Sequence, residues 1–530
     1  MSGSDPNASA TAAAPIRFGS STGRWVLLAS ILGSGLAGID ATVVNVALPA
    51  IGRELETDFA GLQWTVTAYT LTLASFILLG GALGDRYGRR KVFVVGVAWF
   101  AVASLLCGLA PSAPALIGAR ALQGIGGALL TPGSLAMIQA SFAKEDRARA
   151  IGAWSGLGGV ATAVGPFLGG WLIEVASWRW VFLINVPLAV VVVVVATRHV
   201  PETRDPSATG RVDLLGALLG AIGLAGITYA LIEAPAQGVA SFGVLGAGIV
   251  GVVALAAFVV AESRQPHPML PLGIFASAQF SAANAVTFLI YAAFGGIFFL
   301  LVVHLQVVAG FSPLAAGTAM LPITVIMLVL SSRVGALAQR IGPWLPMSLG
   351  PIVCAVGVLL MLRVGPGASY VADVLPAVIV FGLGIALLVA PLTATALSAA
   401  DAQHAGVASG VNNAVARAAG LIAVAVLPVA AGLSGDDYTD STAFDGGFRI
   451  ALLIAAALLV GGALLAALTI SNDVLDMDTA AAPAAEPVRS APLTHCAIDG
   501  PPIAATRDQA VARVRRQRPG SSRHGPRGAR

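Results

Sequence analysis

Residues 80–91 read GGALGDRYGRRK, a knot of Asp85, Arg86, Arg89, Arg90 and Lys91 wedged between two long apolar runs. Residues 62–83 and 92–109 each approach the roughly 20 apolar residues that carry a helix across a bilayer. A tight, cation-rich turn between two spanning helices is expected to face the cytoplasm. The stretch returns in altered form: residues 335–342 read GALAQRIG against GALGDRYG at 81–88. An echo about half a chain away is the mark of an internal duplication.

Composition agrees with the flanks of that turn. Hydrophobic residues make up 57% of the chain and charged residues 11%, against about 25% charged in soluble domains. So few charges cannot cover a soluble surface, and the class is an all-α polytopic membrane protein. The net charge of +4 is no argument for nucleic-acid binding. Cys107, Cys354 and Cys496 show neither a disulfide framework nor metal-ligand spacing.

Fourteen candidate spans begin near Trp25, Leu62, Val92, Ala115, Ala148, Val181, Leu214, Phe242, Phe280, Pro313, Leu345, Val374, Ala405 and Phe448. One set of loops carries Arg86, Arg89, Arg90 and Lys91, then Lys144, Arg147 and Arg149, then Arg198, Arg204 and Arg211, then Arg264 and Arg340. The opposite set holds only Arg53, Arg179, Arg363 and Arg449, with acids such as Glu54, Glu56, Asp58, Asp436, Asp437 and Asp440. Basic loops stay inside, so both termini are expected in the cytoplasm and the chain in the plasma (inner) membrane.

The duplication extends beyond the opening stretch. GIGGALL at 124–130 resembles GLGIALL at 382–388, and Gly152 and Gly156 match Gly406 and Gly410. The expected organisation is a disordered start (1–24), a six-helix half (25–200), a cytoplasmic linker (201–211), two additional spans (212–263), a second six-helix half (264–470) and a disordered basic tail (471–530).

Several functions are excluded. Lys91 and Lys144 are the only lysines and neither follows a glycine, so the chain has no G-x-x-x-x-G-K-[ST] phosphate loop and no route to ATP by it. No H-E-x-x-H or polar pair of catalytic acids is present either, which argues against an enzyme. Uphill work would have to draw on an ion gradient.

Charge inside the bilayer is the informative signal, because it costs several kcal/mol unless paired or hydrated. Asp40 lies within the first span with Asn45 nearby. Burial disfavours the charged form of a carboxyl, which makes Asp40 a candidate proton carrier; the alternative is a carboxyl that packs helices. Arg120 lies early in the fourth span, with Gln123 and Gly124 one turn on. It needs an acceptor or must snorkel to a bilayer face. Its counterpart in the duplication is Val378, and that of Asp85 is Gln339, so the charges belong to one half only. The fifth span, rich in glycine and carrying Pro166, suits close packing or bending. Glu233 reads as a solvated helix end, and His304 and Arg417 as packing or titrating groups.

At this point the motifs resemble a known family, the fourteen-span drug:proton antiporters of the major facilitator superfamily, over roughly residues 25–470. Residues 81–91 resemble the superfamily's G-x-L-x-D-R-x-G-R-[RK]-[RK] loop, with Gly84 in place of a common alanine. Residues 39–49 resemble the L-D-x-T-V-V-N-V-A-L-P motif of the first span. Arg120, Gln123, Gly124 and Gly126 resemble R-x-x-Q-G-x-G of span four, and residues 156–170 the antiporter motif of span five. Residues 178–187, WRWVFLINVP, are also typical of these exporters.

The resemblance implies a major facilitator fold of two six-helix halves plus two additional central spans. It implies that Asp85 and Arg89 latch the cytoplasmic side, within a gate that includes Gly81, Gly84, Arg86, Gly88 and Arg90. Arg120 would assist proton transfer, and Asp40 would couple it or hold a cationic substrate, with Asn45 and Gln123 beside them. Gly156, Gly165, Pro166, Gly169 and Gly170 would form a hinge. The expected function is proton-coupled efflux of small amphipathic or cationic compounds by alternating access. It would use no cofactor beyond the proton gradient, and partners limited to substrate, protons and lipid; a monomer is the expectation. The rival readings are an exporter dedicated to one metabolite, lipid or self-made antibiotic, an importer, and a transport-dead scaffold or sensor.

Overall fold

Long apolar segments leave water only as helices, because lipid offers nothing to bond a free N–H or C=O. The computed structural model describes residues 16–205, 212–265, 268–400, 405–435 and 437–474. The expected disordered start up to residue 15, linker residues 206–211 and tail from residue 475 lie outside the described residues, as does Asp436.

The first half comprises α1 (Ser21–Glu54), α2 (Phe59–Tyr87), α3 (Arg89–Gly108), α4 (Ala113–Ser141), α5 (Lys144–Val175), α6 (Trp180–Leu183) and α7 (Asn185–His199). An antiparallel pair follows, α8 (Leu214–Gln237) and α9 (Phe242–Arg264). The second half comprises α10 (Ala278–Val307), α11 (Pro313–Ala319), α12 (Leu321–Ile341), α13 (Trp344–Leu360), α14 (Leu375–Ser398), α15 (Ala405–Ala430) and α16 (Ser441–Thr469). Side-chain caps start many of these helices: Ser20 accepts from Gly23 N–H, Asp58 from Gly61, Ser312 from Ala315 and Asp440 from Thr442.

Each expected span coincides with helix. Thirteen are long and apolar enough to cross a membrane. The exception is α5, several of whose side chains lie outside the described residues, so that only Val164–Val175 is counted among them. The count of fourteen is therefore not reproduced by length and hydropathy. α1 begins at Ser21 rather than near Trp25, and Ile16 is already held by bonds to the backbone of Ser141 and Ala143. Order thus reaches further toward the start than residues 1–24 were expected to allow. The outer faces of α8 and α9 are apolar and open, with Ile249, Val252 and Val253 each more than half exposed, as contact with lipid requires.

The duplication is visible in the packing. Gly96 and Gly126 bring α3 against α4 backbone to backbone, and Gly350 and Gly384 do the same for α13 and α14. In each case a methyl group in place of one glycine's hydrogen would strike backbone atoms of the facing helix, so the close crossing requires the glycines.

The two ends of the bundle differ. At the acidic-loop end one apolar core runs through both halves, with Phe59 of α2 edge-on to Phe299 of α10 and Phe444 of α16 at 5.8 and 6.2 Å. Backbone and side-chain bonds cross there: Phe59 N–H to Gly435 O at 2.9 Å, Tyr438 O–H to Thr57 O at 2.7 Å and Gln63 Nε2 to Val424 O at 2.7 Å. At the arginine-rich end the halves keep separate cores, one around Phe93, Phe142 and Val192, the other around Phe280, Ala408 and Val411. The halves share one core at the acidic-loop end; at the other their cores are separate, with Ala414 of α15 packed against the first and Gly410 close to Leu78.

Candidate functional site

The expected proton carrier does not sit alone in an apolar surround. Asp40 and Arg120 are both buried to within 1% of full closure, and Arg120 Nη1 donates to Asp40 Oδ2 at 2.5 Å. The same nitrogen donates to Gln123 Oε1 at 2.7 Å, and Arg120 Nε donates to the Thr65 carbonyl at 3.0 Å. Arg120 therefore does not snorkel; α1, α2 and α4 enclose it. Its guanidinium lies 4.3 Å over the Tyr69 ring, which adds a cation–π contact in a desolvated place.

Two residues that the charge pattern did not expose complete the network. Asn185, at the start of α7, donates to Asp40 Oδ1 at 3.1 Å and to Ser104 Oγ at 3.0 Å. Gln123 Nε2 donates to Asp40 Oδ1 at 2.8 Å and to Ser104 Oγ at 3.1 Å. Ser104 passes its own proton to Phe182 O at 2.9 Å. Asp40 is thus faced by donors on both oxygens, from α4 and α7. A proton placed on it would set a donor against donors, and at least one of these bonds would have to break.

Asn45 is not part of this cluster. It lies five residues from Asp40 on another face of α1, and its buried Oδ1 has no hydrogen-bond partner among the described residues.

The fifth span sits against the helix that carries Asp40. A Cβ at Gly165 would lie 2.3 Å from Thr42 Oγ1, and one at Gly169 3.1 Å from Val43. On its other side α5 approaches the second half backbone to backbone at two points: Gly170 touches Pro313 and Leu314, and Gly317 touches Pro166. Gly156 is different, since a Cβ there would meet nothing within 4 Å. Tight packing explains Gly165, Gly169 and Gly170, but not Gly156.

The opening stretch forms the turn between α2 and α3. Arg89 Nε donates to Asp85 Oδ1 at 2.9 Å. Gly88 has φ +115°, and a Cβ there would meet the Glu202 carboxylate at 2.7 Å. Glu202 accepts from Arg90 N–H at 3.1 Å and Lys91 N–H at 3.2 Å, placing a negative charge at the N-terminus of α3. Arg90 Nη1 donates to Val200 O at 3.0 Å, and Arg89 N–H to Thr203 O at 2.9 Å. The gate is clasped by the chain just after α7. Gly81 and Gly84 face open or ordinary contact distances, and the Arg86 guanidinium is 5.4 Å from the Tyr87 ring.

The remaining candidates lie apart. Glu233 is not a merely solvated helix end: it accepts from Trp64 Nε1 at 2.8 Å, docking α8 on α2. His304 Nε2 is 3.0 Å from Asp445 Oδ1 and stacks on Phe448 at 3.9 Å. Among the described residues no group of His, Cys, Asp and Glu is arranged to hold a metal ion.

A family model described as Major Facilitator Superfamily matches residues 30–425. The chain belongs to the Major Facilitator Superfamily. Relatives of this facilitator include the methylenomycin A resistance protein of Bacillus subtilis, 35% identical over 83% of this chain and 94% of the relative. The puromycin resistance protein pur8 of Streptomyces alboniger is 34% identical over 88% and 95%, and the multidrug resistance protein Stp of Mycobacterium tuberculosis 36% identical over 76% and 74%. Among solved structures, a crystal structure of peptide transporter POT in complex with sulfate matches with TM-score 0.61 at 15% identity over 84% of this chain and 95% of that one. The D-xylose–proton symporter matches with TM-score 0.59 at 15% identity over 85% and 98%. At such identities these two speak for the fold alone: this facilitator is an all-helical, multi-pass membrane protein with the superfamily's fold.

Proposed function

We propose that the chain is a drug efflux transporter driven by protons, exchanging them for small amphipathic compounds by alternating access. The relatives named for resistance to drugs and antibiotics support export. The observation that carries proton coupling is the sealed Asp40–Arg120–Gln123–Asn185 network. Proton uptake by Asp40 must rearrange bonds to α4 and α7, and α1 is packed against α5, whose other face meets α11. A local proton event thereby has a mechanical route to the second half.

In this reading the arginine-rich end faces the cytoplasm, both termini lie on that side, and the end where the two cores are separate is the one that opens inward. α5 is the fourteenth span, and α8 and α9 are the additional pair between two six-helix halves. The Asp85–Arg89 pair and the Glu202 clasp keep the gate within the first half until the cytoplasmic side closes. One proton moving down 100 mV supplies roughly 2.3 kcal/mol, enough for about a fifty-fold gradient of a neutral solute.

The test is uptake of ethidium into inverted vesicles under an imposed pH gradient, comparing the native chain with Asp40→Asn. Gradient-dependent accumulation that disappears in the variant is expected. Equal accumulation by both, at matched protein levels, would remove Asp40 from the coupling step.

A further inference from the structure

Three charged side chains lie deep in the helices that meet around the seam between the halves, and two of them neutralise each other. Asp40 and Arg120 form one closed pair. Arg417 of α15 is left over. It makes no hydrogen bond or ion pair among the described residues, and its Nε is enclosed without an acceptor. A lone guanidinium at this depth costs several kcal/mol unless something anionic or watery meets it.

Its position follows from two contacts on either side. α15 runs antiparallel to α2: Gly410 meets Leu78 near one end, and Val424 accepts from Gln63 near the other. Arg417 lies midway, level with Tyr69 on α2. Tyr69 and Tyr291 are its titratable neighbours. One turn along α15, Gly420 lets α10 approach backbone to backbone at Gly295, which brings Tyr291 beside the arginine. From Tyr291 an aromatic stripe climbs α10 through Phe294 and Phe298 to Phe381 of α14, with ring centroids 5.5–6.3 Å apart. Phe294 and Phe381 are buried, but Arg417, Tyr291 and Phe298 are each only half-buried, so the arginine and these two rings remain open to an occupant.

We propose that Arg417 anchors a substrate subsite at the junction of α2, α10 and α15, and that this subsite takes a carboxylate or similar oxyanion carried on an aromatic body. The stripe takes the rings; the guanidinium takes the two oxygens in a fork that a planar carboxylate matches. The pair at Asp40 offers no free carboxylate for a cation, and the subsite at Arg417 selects for acids, a class beside the cationic compounds expected from sequence. Tyr69 borders both places, its ring beneath Arg120 and its edge of α2 facing Arg417. An acid bound at Arg417 therefore sits next to the proton network. This inference rests on the export reading only for the direction of transport, not for binding.

The test uses purified full-length protein in detergent and fluorescein, an aromatic oxyanion, followed by fluorescence anisotropy, with ethidium as the cationic comparison. Arg417→Gln is expected to weaken fluorescein binding about tenfold or more, the usual range for a lost charged hydrogen bond. Arg417→Lys, which keeps the charge but loses the fork, should restore only part of it, and ethidium binding should shift less than about twofold in either variant. On the native protein, 2-naphthoate should displace fluorescein while its neutral isostere 2-naphthamide should not; this arm holds even if Arg417→Gln fails to fold. Absent fluorescein binding, equal losses for both dyes, or equal displacement by acid and amide would each overturn the proposal. Fluorescein bound but not moved by a pH gradient would leave the subsite standing and sink the export reading. Ethidium pumped without fluorescein binding would do the reverse.

Discussion

The turn after α2 and the turn after α12 are one design with two chemistries. Both place a glycine with positive φ before the next helix, Gly88 at +115° and Gly342 at +85°. Both are closed by a side chain from just beyond the last helix of their own half. Glu202, after α7, bonds the first amides of α3; Asn472, after α16, accepts from Trp344 N–H at the start of α13 at 3.1 Å. The difference is charge. Where the first turn has Asp85 and a carboxylate clasp, the second has Gln339 and an amide. The same contrast recurs mid-membrane, where Arg120 corresponds to the fully buried Val378. Geometry was kept in both copies, while the fully buried ion pair, Asp40–Arg120, lies in the first and Arg417, without a partner among the described residues, in the second. A scaffold can be symmetric in shape and still carry its electrostatics on one side.

The largest effect should come from making the first half resemble the second. Arg120→Val strands the Asp40 carboxylate, and removing one partner of a buried pair costs about 3–5 kcal/mol; the melting temperature in detergent should fall sharply. Adding Asp40→Val should recover most of that stability without recovering gradient-driven transport. A single variant as stable as the native chain would break the comparison.

A smaller effect is expected at the turns. Gly88→Ala and Gly342→Ala should each cost about 1–2 kcal/mol for forcing a side chain into a left-handed conformation. Because the added carbon at Gly88 also collides with the Glu202 carboxylate, Gly88→Ala and Glu202→Ala should be less than additive in thermal unfolding.

The smallest effect separates the clasps. Glu202→Ala and Asn472→Ala should each cost about 0.5–2 kcal/mol as lost helix caps. Only the Glu202 loss should shrink in 1 M salt, since only it contains a charge facing the α3 terminus. Equal salt dependence at both would mean that the charge difference between the turns has no energetic consequence.

Charges in an apolar chain are rare, so Asp40, Arg120 and the arginine-rich turn were legible without any structure, and so were the helices between them. What could not be read was partnership. Asn185 and Ser104 are neutral and scattered, indistinguishable in sequence from residues that pack helices, yet they decide how Asp40 is held. Glu202 lies 112 residues from Arg90, with which it bonds, so no local pattern announces it. Arg417 was visible as a charge, but that it lacks a partner is a fact of three dimensions.

The contact between α5 and α11 has a mechanical consequence. Where Gly170 meets Leu314 and Gly317 meets Pro166, main chain rides on main chain. Such a surface behaves as a plain bearing, contributing little friction to a rocking motion. The resistance to switching would then lie in peeling apart the aromatic core around Phe59, Phe299 and Phe444. Tuning the speed of this molecule would mean altering that adhesive patch, while a bulky residue on the glycine track would jam it.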